Sequence, residues 1–157
     1  MTLPVRKRLR IQNFDYSSEG YYFVTICTKD KKKYFGDIID TQSNSMRYTS
    51  VGIVAEKHIK NIEHHFSCVA VDKYVVMPNH VHMIIIIGCK NKAPTGNFPT
   101  LSTIIGLYKS GVSRELGQSV WQRFYHDHVI RNETAYKKIW EYIDTNPMAW
   151  EKDVFFE

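Results

Sequence analysis

No stretch of this chain is apolar for the length a bilayer demands, and no N-terminal apolar segment resembles a signal peptide, so the expectation is a cytosolic protein without a membrane partner. Cysteine is scarce. Cys27, Cys68 and Cys89 are odd in number and show no C-x-x-C spacing, which argues against a disulfide framework and against a cysteine zinc site. They read as reduced, mostly buried small hydrophobes. Internal repeats and low-complexity tracts are also missing, so residues 1–157 are expected to form one domain, with 1–19 as a basic arm. Acidic residues are outnumbered, 16 against 21 Lys plus Arg, and the resulting formal charge of +5 favours an anionic partner without naming it. The excess is clustered. Arg6, Lys7, Arg8 and Arg10 lie in the arm, and Lys29, Lys31, Lys32 and Lys33 follow the first apolar run. Such runs are also ordinary solvated edges, so charge alone leaves both readings open.

What the chain does have is the stretch from Val75 to Ile87, a Pro78-Asn79 turn that opens into a β-branched run of strand length. Side chains alternate along a strand, so His80 and His82 share one face while Val81 and Met83 take the other. Paired imidazoles on a buried face need partners for their ring nitrogens, and a metal ion or a phosphate would supply them. Two structurally satisfied histidines are the alternative, and H-x-H by itself does not choose.

Patterning gives the rest of the chain. Tyr21–Thr28 is aromatic and β-branched and predicts a strand, followed by the lysine turn and a short extended piece around Tyr34-Phe35-Gly36. Apolar residues at helical spacing from Ser50 to His65 predict an amphipathic helix, with His58, His64 and His65 at its surface or end. Cys68–Val76 predicts a strand that pairs antiparallel with the histidine strand across the Met77-Pro78-Asn79 turn. After the loop 88–99 comes a helix capped by Thr100 or Ser102, with Leu101, Ile104, Ile105, Tyr108 and Val112 as its buried stripe. Trp121–Ile130 alternates as a strand, and Glu133–Asn146 reads as a last helix stopped by Pro147. The order β-α-β-β-α-β plus a C-terminal helix predicts an α+β, ferredoxin-like antiparallel sheet whose first and third strands are central.

In the last helix Tyr136, Ile139, Trp140 and Ile143 fill the buried stripe, which leaves Tyr142 on its flank and Asn146 one turn further along. The pair could present a hydroxyl and an oxygen ligand together. It could equally be a half-buried aromatic and a helix stop.

Four motifs in order, Met77-Pro78-Asn79-His80-Val81-His82, Trp121-Gln122-Arg123, His128-Val129-Ile130-Arg131 and Tyr142-Ile143-x-x-Asn146-Pro147, resemble the single-tyrosine transposases of the His-hydrophobic-His class. Asp15-Tyr16 and Gly20–Thr25 resemble their REP-associated branch, the tyrosine transposases linked to repeated extragenic palindromes. Asp127 stands where many relatives carry glutamate, and His126 where an aromatic is expected. The resemblance implies that Tyr142 is a nucleophile, and that His80, His82 and Asn146 hold a divalent metal, Mg²⁺ or Mn²⁺. It implies a metal-dependent strand transferase that nicks and rejoins single-stranded DNA beside hairpins of the repeated-palindrome type through a 5′-phosphotyrosine. Arg6, Lys7, Arg8, Arg10, Lys31, Lys32, Lys33 and Arg123 would bind the DNA, and assembly is left open between monomer and homodimer. A non-catalytic nucleic-acid binder and a phosphodiesterase using water as nucleophile are the rival readings on the same fold.

Overall fold

The computed structural model of the protein describes residues 20–40, 45–88 and 99–150, so the arm with Arg6, Lys7, Arg8 and Arg10 and the thiol of Cys89 lie outside the described residues. The elements run β1 (Gly20–Cys27), β2 (Gly36–Asp40), β3 (Ser45–Tyr48), α1 (Ser50–His65), β4 (Val69–Met77), β5 (His80–Ile87), α2 (Leu101–Leu116), β6 (His126–Ile130) and α3 (Glu133–Asp144). β4, β5, β1 and β6 form one antiparallel sheet in that order. This is the expected ferredoxin-like arrangement, with the two most apolar strands, β1 and β5, in the middle.

The pleat divides each central strand between two cores. Tyr22, Val24 and Ile26 of β1 and Val81, Met83, Ile85 and Ile87 of β5 point to α1 and α2, where Ala55, Ile59, Ile104, Ile105 and Val112 close the main core. The opposite face carries Ile84 and Ile130, covered by Ile143 of α3, with Tyr136, Ile139 and Trp140 packed around them. Each described α-helix starts on a side-chain cap: Thr49 accepts from Gly52 N, Thr100 from Thr103 N, and Asn132 from Ala135 N.

Three expectations need correction. The extended piece after the lysine turn is in fact a separate hairpin, β2–β3, paired from Gly36↔Tyr48 to Asp40↔Ser45. Gly36 is required there, because its φ is +156° and a Cβ would strike the carbonyl of Arg47. The last strand begins at His126 rather than Trp121, since only an isolated bridge, Thr28↔Trp121, continues the pairing beyond Thr25↔His126. α3 ends at Asp144, two residues early, as the residue before a proline is pushed out of helical conformation and Asn146 precedes Pro147.

Candidate active site

The histidine pair is built by the register of β5 against β1. Cys27 stands opposite His80 and Thr25 opposite His82, and directly paired residues share a face. Both imidazoles are buried, at 0% and 1% exposure, with ring centroids 4.5 Å apart. Each has its Nδ1 within hydrogen-bond distance of a neighbour. The Asn79 amide nitrogen donates to the carbonyl of Lys31 at 3.4 Å, which turns its Oδ1 towards His80 Nδ1, 2.7 Å away. An amide oxygen only accepts, so Nδ1 of His80 carries the proton and Nε2 carries the lone pair. His82 Nδ1 lies 2.9 Å from Thr25 Oγ1, a hydroxyl that can accept the same kind of N–H. Such outer partners orient a metal-binding imidazole and fix its tautomer. Burial, reinforced by the neighbouring His80, holds the pKa of His82 well below its ordinary value, so the ring is neutral, as a ligand must be.

α3 brings Tyr142 to this pair. The helix is docked by Ile143 and fastened at its sides: Tyr136 donates to Asp72 at 2.5 Å, and Lys73 pairs with Asp144 at 2.7 Å while lying 4.0 Å over the Trp140 ring. Tyr142 is 38% exposed. Its ring centroid is 5.2 Å from that of His82 and 6.2 Å, edge-on, from that of Phe23. The phenol ring is therefore beside the His82 imidazole while part of the side chain faces solvent. Asn146 is buried at 1% exposure in the turn after α3, and the same turn carries Trp150, whose indole stacks on His80 at 6.3 Å.

No group of three His, Cys, Asp or Glu side chains is assembled among the described residues, so a metal at the pair would complete its ligand set with another donor. The chemistry of what is present fits one. Nε2 of both rings and Oδ1 of Asn146 are buried and make no hydrogen bond among the described residues, while each residue is held through its other atoms. Two imidazoles and an amide oxygen suit Mn²⁺, with Mg²⁺ the harder alternative.

The remaining sequence-derived candidates are distributed around the His80 end of the sheet. Lys32 and Lys33 are exposed and Lys31 is half-buried, in a 3₁₀ turn, Lys29–Lys31, that passes through left-handed conformations at Asp30 and Lys31. Through the Lys31 carbonyl the turn braces Asn79, and Lys33 Nζ lies 5.9 Å over Trp150. Arg123 is exposed near the edge strand β6. His126 and His128 are exposed on the same face as His82, beside Thr25 and Phe23, whereas Asp127 is buried on the other. Sequence reading missed Thr25 and Asn79 as partners of the imidazoles. Asn79 had a signal, its place in the quoted Pro-Asn-His motif, but Thr25 is 57 residues from His82 and only the strand register joins them.

No family model matches the chain. An uncharacterized protein of Haemophilus influenzae is 36% identical over 170 residues, covering 96% of this chain and 93% of the relative. Among solved structures, a REP-associated tyrosine transposase bound to a REP hairpin superposes with a TM-score of 0.61 at 19% identity, over 88% of this chain and 73% of that one. At that identity the likeness is one of fold.

Proposed function

Because the chain belongs to one family with the Haemophilus influenzae protein and has the fold of a REP-associated tyrosine transposase, we propose that it is a DNA strand transferase with Tyr142 as nucleophile. The observation that carries the reading is the placement of a partly exposed tyrosine whose ring lies 5.2 Å, centroid to centroid, from that of His82, one of two buried histidines in ring contact. Fold alone would not license it, since one fold serves many functions.

Tyr142 Oη attacks the scissile phosphorus in line, a phosphorus–oxygen ester bond forms to the tyrosine, and the bond to the 3′-oxygen breaks. The proton lost by the phenol is matched by the one gained at the leaving 3′-hydroxyl. The 5′-phosphotyrosine retains the ester, so a 3′-hydroxyl from another strand can reverse the step without ATP. His80, His82 and Asn146 would hold a divalent cation, Mg²⁺ or Mn²⁺, which when bound supplies a Lewis acid for the phosphate oxygens. Phe23 and His82 fix the plane of the phenol, while Thr25 and Asn79 hold the imidazoles. Lys31, Lys32, Lys33 and Arg123, with Arg6, Lys7, Arg8 and Arg10 of the arm, would meet phosphates of single-stranded DNA flanking a hairpin.

Incubation of the protein with a labelled hairpin carrying single-stranded flanks, in Mg²⁺ or Mn²⁺, should give a protein–DNA adduct that survives denaturant. Proteolysis should place the nucleotide on the peptide containing Tyr142. Cleavage to free ends with no adduct would transfer the assignment to a phosphodiesterase using water, and binding without cleavage would leave a non-catalytic DNA binder.

A further inference from the structure

Between Trp121 and His126 the edge strand departs from the regular ladder. Trp121 bridges Thr28 and His126 pairs with Thr25, so five residue steps on this strand span three on β1. The two surplus residues must bulge, and bulges re-aim side chains beside sites. Arg123 and Phe124 sit in the bulge, and Phe124 is 73% exposed. The guanidinium carbon of Arg123 lies 5.5 Å from the centre of the Phe124 ring.

A singly exposed apolar side chain is ordinary. What sets this one apart is the anchoring of the backbone beneath it. Lys109 Nζ donates to the carbonyls of Gln122 at 2.7 Å and Arg123 at 3.2 Å, and Trp121 Nε1 donates to the Lys109 carbonyl at 3.2 Å. Gln122 N donates to Cys27 O at 2.9 Å, and Tyr125 shares a hydrogen bond with Ser102 at 2.9 Å. The ring is thus held out to solvent on a fixed frame, and its ordering entropy is spent in folding rather than on binding.

Its position is equally specific. Cys27, whose carbonyl holds Gln122, is the residue opposite His80 on β5, which places the bulge two strand spacings, roughly 10 Å, from the histidine pair. Lys29 N donates to Val120 O at 2.9 Å, so the lysine turn borders the same segment, and Lys29, Lys32, Lys33 and Arg123 are all exposed there. A cationic rim with a projecting aromatic ring is complementary to a strand whose phosphates are charged and whose base faces are uncovered. A duplex keeps those faces stacked.

We propose that Phe124 and Arg123 form a subsite for an unpaired nucleotide of the DNA strand, the ring stacking on its base and the guanidinium meeting the adjoining phosphate. The subsite rests on the DNA-processing reading above and gives it a specificity element a few nucleotides from the bond that is cut.

The test is equilibrium binding without divalent metal, so that cleavage plays no part, to a hairpin with single-stranded flanks and to the same hairpin with blunt ends. Phe124→Ala should weaken the flanked hairpin by roughly five- to a hundred-fold, the range of one lost base stack, and leave the blunt one unchanged. Phe124→Trp should bind like the wild type, and Arg123→Ala should lower the salt dependence by about one phosphate contact. With 2-aminopurine placed in the flank, wild type should quench its fluorescence and Phe124→Ala should not. Equal binding by Phe124→Ala and wild type, or equal losses on both hairpins, would overturn the subsite while leaving the strand-transferase reading intact. Failure of wild type to bind either DNA would overturn both.

Discussion

The two faces of one sheet are built to different ends, although they are made from alternate residues of the same strands. Towards α1 and α2, β5 presents Val81, Met83, Ile85 and Ile87, all at 0–1% exposure in a continuous apolar core. Towards α3 it presents His80, His82 and Ile84, and among the described residues three side chains, Ile84, Ile130 and Ile143, form the buried apolar centre there. A period of two in the sequence therefore separates what stabilises the molecule from what could act on a substrate. The second face accepts buried imidazoles, an exposed tyrosine and polar outer partners because the first carries the hydrophobic burden.

The largest expected effects come from single-atom or single-ring changes on the α3 face. Tyr142→Phe keeps the ring against His82 and Phe23 but lacks the oxygen, so cleavage and adduct should fall to background while DNA affinity and Tm stay near wild type. Tyr136→Phe, earlier on α3 and hydrogen-bonded to Asp72, should still form the adduct. His82→Ala should likewise abolish metal-dependent cleavage with binding retained. Cleavage by Tyr142→Phe at the wild-type rate would end the assignment of the nucleophile.

Ile85→Ala, on the other face, should show the reverse. It removes a wholly buried side chain from the main core and should cost about 2–5 kcal/mol by chemical denaturation, with cleavage per folded molecule little changed. A large loss of catalysis at temperatures where the variant is still folded would mean that the faces are not separable.

The sequence shows this division clearly in some places and hides it in others. β5 was legible because a β-branched run with period-two histidines has few other readings, and the helices were legible from their caps and apolar stripes. The β2–β3 hairpin was not, since Ile38 and Ile39 are adjacent and break the alternation, and its strands are only five and four residues long. The alternation of Trp121–Ile130 was real but misleading, because a bulge leaves pattern intact while removing pairing. Tyr142, His80, His82 and Asn146 were singled out by the resemblance to single-tyrosine transposases, since their spacing alone left ordinary readings open, and the structure brings the tyrosine next to His82 and His82 next to His80. The partners that orient the imidazoles depend on register and on a carbonyl in the lysine turn, which no local pattern encodes.

Those partners supply the intermediate effect. Thr25→Val is close to isosteric but removes the hydrogen-bond partner of His82 Nδ1, so the ring loses its enforced orientation on a face that is otherwise unchanged. Metal affinity, read from the metal concentration for half-maximal cleavage, should weaken about 10–100-fold. Thr25→Ser should restore most of it. An unchanged metal dependence in Thr25→Val would show that packing against Phe23, 5.3 Å away, suffices to hold the ring.

The smallest effect belongs to the outer surface of the helical layer, where Glu115 of α2 accepts from Lys57 Nζ at 2.6 Å and pairs with His58 Nε2 at 2.8 Å, both on α1. The hydrogen bond from Lys57 first, and that from His58 second, hold the Glu115 carboxyl below its ordinary pKa of 4.5. A folded-state pKa below the unfolded one means that the unfolded chain binds more protons in that window, so stability rises with pH there. The contribution is fully present above about 4.5 and is lost as pH falls through the lowered folded value. Being at the surface, the cluster should be weak and screened by salt. Glu115→Gln should therefore lower Tm slightly at pH 7 in low salt, and the difference from wild type should close on acidification below the ordinary carboxylate range. Because the cluster lies on the helical side of the sheet, cleavage and metal dependence should not follow it; a Tm difference constant with pH would assign the effect to packing rather than to charge.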